Sequence, residues 1–164
     1  MSPVPPLIFA LNVVTSALVL RWFVWPRLRT LDRNAALVPL VAFHWVRTAG
    51  ILAVYPGMTG AFHASDWAWH IAAGDLLTVV LAWIAVGLLR ARQRAAIPGV
   101  WLFNVVGLVD IANAMRNAIA SSVPVHTIGA QALVIAFGPP ALVVSHIAIF
   151  VLLLRRPAGG GRFV

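Results

Sequence analysis

Asp110, Asn113, Arg116 and Asn117 interrupt a largely apolar stretch, Phe103 to Ala120, that reads FNVVGLVDIANAMRNAIA. A charge at the centre of a bilayer costs about 2.5–3.5 kcal/mol on insertion scales, so such residues turn to the protein interior and find partners there. At ~100° per residue, Asp110, Asn113 and Asn117 fall within about 60° of one another, with Arg116 at the edge of that face. Other apolar runs hold groups that match them: His44 and Arg47, Asp75, and His146. In this polar layer Asp75 and Asp110 are the protonatable or cation-facing groups and Arg47 and Arg116 the counter-charges. Asn113 and Asn117 are neutral hydrogen-bond partners. The competing reading is an internal Arg–Asp lock that only holds the helices together.

Two further sets of residues have ligand chemistry. His44 and His146 each lie about eight residues, hence ~12 Å, from one end of their runs, the equal depth that a bis-histidine haem b requires. The ordinary alternative is a pair of buried neutral histidines, each hydrogen-bonded to a neighbour. Nearer the other end, His63, Asp66 and His70 share a face at i, i+3 and i+7, and His126 stands on the next loop on that side. Two histidines and a carboxylate suit Zn, Fe or Mn. The spacing spans ~10 Å of helix, though, and Asp66 is equally explained as the N-cap of the run that follows. His70 and His126 are also placed to relay protons to the layer.

Composition narrows the chemistry. There is no cysteine, lysine or glutamate in the 164 residues, and the acids are Asp32, Asp66, Asp75 and Asp110 alone. Thiolate metal sites, disulfides, cysteine nucleophiles and lysine Schiff bases are excluded. No stretch has the form of a hydrolase triad, a phosphate loop or a nucleotide fingerprint. The net charge of +8 invites a nucleic-acid reading, but the arginines sit in short segments between apolar runs, which is the positive-inside pattern of membrane topology.

The elements that position these residues are read from hydropathy. With 62% hydrophobic and 10% charged residues and a mean hydropathy of +0.95, the chain reads as an all-α integral membrane protein. Five apolar runs, 4–25, 35–54, 66–89, 98–120 and 128–154, form one bundle over residues 1–156, followed by a disordered tail, 157–164. Asn34 is the expected N-cap of the second run, with His44, Arg47, Thr48 and Ile51 as its polar stripe. Asn12, Thr15 and Ser16 share a face of the first run and read as interhelical hydrogen-bond glue. Gly138-Pro139-Pro140 is expected to kink the fifth run and free carbonyls that need partners. By the helix rise, Arg47, Asp75, Asp110 and Pro139 all lie roughly 17–22 Å from the arginine-rich edge. Ten of the twelve arginines fall on one side of this arrangement, which places the N-terminus outside and the C-terminus in the cytoplasm of a bacterial-type inner membrane.

The reading that follows is a multi-pass protein that binds or translocates a small ion or polar molecule through the midplane layer, more a carrier than an enzyme. The alternatives are a haem- or metal-carrying redox subunit using His44 and His146, and a non-catalytic subunit whose layer is purely structural. Expected partners are the bilayer, the small ligand, and a second copy or another membrane subunit, with no nucleic acid.

Overall fold

The computed structural model describes residues 4–59, 65–120 and 131–155, and among these every regular element is a helix. α1 (Val4–Val19) passes through a π-helical turn, Leu20–Val24, into α2 (Trp25–Leu28). The wide turn lies just before Pro26, whose missing N–H cannot continue the regular ladder. Arg27 Nη1 donates to the Phe23 carbonyl there at 2.6 Å. α3 (Arg33–Phe43) continues as a 3-10 helix, His44–Val54, and a short α4 (Pro56–Thr59) follows. α5 (Asp66–Arg90), α6 (Ala96–Ala120) and α7 (Gln131–Leu154) complete the order. Five helical stretches are long and apolar enough to cross a membrane: Pro6–Leu28, Arg33–Val54, Asp66–Arg90, Ala96–Ala118 and Leu133–Leu154. His63, His126 and the segment 157–164 lie outside the described residues.

Two helix starts differ from the sequence reading. Asp32, not Asn34, caps α3, its Oδ1 accepting from Ala35 N at 3.0 Å. Ser65, not Asp66, caps α5, its Oγ accepting from Ala68 N at 3.1 Å, which leaves Asp66 as the first helical residue. An acid at either place favours the positive end of the helix dipole, so the sequence signal serves both positions.

α5 is the central helix, packed against α3, the 3-10 segment and α6, while α7 packs on α1, α3 and α6. The buried face of α5 runs Ala68, Ala72, Thr78, Val79, Ala82, Ala85 and Leu89, and its many small side chains allow close helix approach. Towards the arginine-rich end, Leu37, Val41, Leu89, Val100, Phe103 and Ile149 form an apolar core. Large apolar side chains such as Leu77, Val80, Trp83, Leu102, Val109 and Leu154 point outward, whereas His44, Arg47, Thr78, Asn104, Ser145 and His146 are buried. Polar groups inside and large apolar groups outside is the arrangement that a hydrocarbon solvent selects.

The arginine-bearing turns gather at one end. Arg92 Nη2 stands 3.4 Å from Asp32 Oδ2, tying the α5–α6 turn to the start of α3, and the Arg155 guanidinium lies over the Trp25 ring at 4.8 Å. Arg92 closes α5 in the left-handed region, with φ 51°, so that Gln93 N reaches the Leu88 carbonyl.

Candidate functional site: a shared arginine and a histidine pair

The second span changes its winding where the chemistry starts. In a 3-10 helix, side chains three apart eclipse one another, and the buried residues of this segment are His44, Arg47, Gly50 and Ala53. Thr48 and Ile51, expected beside them from α-helical spacing, are exposed. Tightening also frees a carbonyl. His44 N bonds back to Val41 and Ala42, which leaves Leu40 O without its α-helical donor. Ser145 of α7 donates its hydroxyl to that oxygen at 3.3 Å.

Arg47 is held by three groups at once. Its Nε donates to Asp75 Oδ1 at 2.6 Å, Nη2 to Asp110 Oδ2, and Nη1 to the Gly107 carbonyl at 3.1 Å. The arginine side chain is 1% exposed and the two carboxylates 18% and 21%, so the guanidinium is sealed while each acid keeps an edge towards the surroundings. Three glycines make the close approach possible. A Cβ on Gly50 would overlap the Asp75 carboxylate, and one on Gly74 would overlap that of Asp110. A Cβ on Gly107 would stand 2.6 Å from His146 Cε1 and 2.9 Å from its Nε2.

The structure thus brings Arg47, Asp75 and Asp110 together and leaves Arg116 apart. Arg116 is exposed and donates to Asn113 Oδ1 at 3.1 Å, so the second expected counter-charge is not in the layer. It lies almost two turns beyond Asp110 along α6, too far for both to sit at one depth. Two carboxylates therefore share one buried guanidinium. A shallow cleft of about 10 Å³, room for about one water, reaches Asp110 between α5 and α6, lined by Trp67, His70, Asn113 and Asn117 among others. His70 Nδ1 is paired with the Asp66 carbonyl at 2.6 Å. Among the described residues no group of three or more His, Cys, Asp or Glu side chains is arranged to hold a metal, and two of the four proposed outer ligands, His63 and His126, lie outside them.

Next to Arg47, the His44 and His146 rings meet directly, with centroids 4.2 Å apart, and both are fully buried. Phe103 closes one side, edge-on to His44 at 4.9 Å. As the rings are placed they touch each other, and a porphyrin between them would require the helices to separate. His146 Nδ1 lies 2.7 Å from Asn104 Oδ1, while Asn104 Nδ2 donates to the His146 carbonyl at 3.2 Å. His44 Nε2 lies 3.3 Å from Ser145 Oγ. Asn104 and Ser145 gave no sequence signal beyond a polar residue in an apolar run.

The proline step of α7 frees a carbonyl that finds its partner on another helix. Pro140 has no N–H to give Ala136 O, and Asn12 of α1 donates its Nδ2 to that oxygen at 3.0 Å. The freed carbonyl thus anchors the first span instead of entering the polar layer.

Comparison with curated proteins and with solved structures finds no match. Residues 4–154 do match the family described as Domain of unknown function (DUF8737), and the chain belongs to that family.

Proposed function

We propose that this protein is an inner-membrane bundle, N-terminus outside and C-terminus cytoplasmic, that binds or passes a small cation at the Arg47–Asp75–Asp110 site. One observation carries the reading: two carboxylates converge on a single buried guanidinium. With both acids ionised the cluster holds one negative charge in excess, in surroundings where an unbalanced charge costs several kcal/mol. A purely structural lock is best served by one acid per arginine. A site that takes up a positive species needs the surplus. The cleft beside His70, Asn113 and Asn117 supplies the approach, from the end opposite the arginine-bearing turns. The convergence of those turns supports the assigned orientation through the positive-inside rule.

The test is uptake by proteoliposomes under imposed proton, sodium or potassium gradients, with wild type and Asp110→Asn compared. Wild-type uptake that falls to the empty-liposome level in Asp110→Asn is the expected result. A stable Asp110→Asn protein with wild-type uptake refutes the assignment.

A further inference from the structure

The histidine pair names the cation. Each ring has one nitrogen whose role is set by a neighbour. Ser145 Oγ has a single hydrogen, and that hydrogen is directed to the Leu40 carbonyl, which can only accept. The Ser145 oxygen therefore accepts from His44 Nε2–H. Asn104 turns its amide nitrogen to the His146 carbonyl, so its Oδ1 accepts from His146 Nδ1–H. Both tautomers follow from the network, and each leaves a bare lone pair: His44 Nδ1 and His146 Nε2, buried and without a hydrogen-bond partner among the described residues. Two orphaned acceptors on touching rings are costly unless they have a use.

We propose that the species taken up is the proton and that His44 Nδ1 and His146 Nε2 are its acceptors; this rests on the cation-site reading above. The ring pair itself selects against other cations. Alkali and alkaline-earth ions require a shell of oxygen ligands, and the two free atoms there are imidazole nitrogens. Transition metals accept imidazole, but no third ligand joins the pair among the described residues. The space is also taken: one more carbon on Gly107 would press on His146 and on the Thr78 methyl, the latter at 2.9 Å. A proton needs no room.

The charge balance closes on the same residues. The charged groups around the rings are Arg47 on the segment of His44, Asp75 on α5 and Asp110 on α6; α3 carries only Arg33, at its far end, and α7 has no charged residue besides His146 itself. A hydronium in the cleft beside Asp110 gives up one O–H bond and leaves as water, and the proton it releases forms one N–H bond at a ring lone pair. The imidazolium is then balanced by the carboxylate that Arg47 leaves uncompensated. One proton per chain is the resulting stoichiometry.

The experiment combines flux with a ring-specific spectrum. In proteoliposomes, His44→Gln with His146→Gln should lower proton flux roughly hundredfold, the lower end of what a positioned proton-transfer group supplies. Acidifying the wild type should move the ¹⁵N resonances of two buried ring nitrogens from the bare to the protonated range. Sodium or potassium flux with no proton flux would overturn the proton assignment and leave the cation site standing. Loss of all uptake in wild type would remove both. A folded double variant with proton flux within twofold of wild type would also overturn it. Should that variant fail to fold, wild-type ring nitrogens that stay bare down to acid unfolding would do so instead.

Discussion

Sharing one arginine between two acids makes the site respond unequally to the loss of its members. In Arg47→Met, two half-buried carboxylates face each other without a cation and the Gly107 carbonyl loses its extra donor. Removing one partner of a buried pair costs about 3–5 kcal/mol, and the second stranded acid puts this case at the upper end. In Asp110→Asn, Arg47 keeps a one-to-one pair with Asp75, and the new amide oxygen still accepts from Nη2. The weaker neutral hydrogen bond costs about 1 kcal/mol, and relief of the surplus negative charge offsets it. Asp75→Asn follows the same reasoning through Nε. At roughly 2–4 °C per kcal/mol for a chain of this size, the acid variants should keep Tm within a few degrees of wild type or raise it, and Arg47→Met should lower it by about 10–20 °C. The triple change Arg47→Met, Asp75→Asn, Asp110→Asn should recover most of that loss, because no charge is left without a partner. The assay is thermal unfolding in one detergent, followed by circular dichroism. An Asp110→Asn protein as unstable as Arg47→Met would show that Asp110 alone neutralises the arginine, and the shared-charge argument would fall with it.

Three more expectations test other joints of the structure. Asn12→Ala should cost about 0.6–1.7 kcal/mol, the range for hydrogen bonds between membrane helices, and almost nothing in a Pro140→Ala background where Ala136 O regains its own donor; equal costs in both backgrounds would disprove the coupling. Gly107→Ala should lower stability by about 1–3 kcal/mol through overpacking against His146, whereas Gly87→Ala, with open space at the same test position, should be neutral or slightly stabilising; unfolding midpoints decide it. Because the chain has no cysteine, single cysteines at Gly57 and Gln93 report sidedness cleanly; an impermeant maleimide added to intact cells should label the first and not the second, and the reverse would invert the orientation.

Some of this architecture was legible in the amino-acid order alone. Five helices long and apolar enough to cross a membrane follow from hydropathy, because burying a backbone in hydrocarbon demands long uninterrupted apolar helices. That Arg47, Asp75 and Asp110 share a depth follows from counting residues along those helices. The carbonyl freed by Pro140 follows from proline's missing N–H. What a one-dimensional pattern does not contain is which helix stands beside which, and so who shares whose charge. Arg116 and Arg47 look equivalent in sequence, but only Arg47 sits on a segment wound to three residues per turn, which aligns it with His44, Gly50 and Ala53. The carbonyl that this winding frees is taken up by Ser145, from a helix about a hundred residues away. The tautomers of the two histidines are likewise set by Asn104 and Ser145 across helix contacts. Helical periodicity reports which face of a helix is polar, and packing alone decides which polar groups meet.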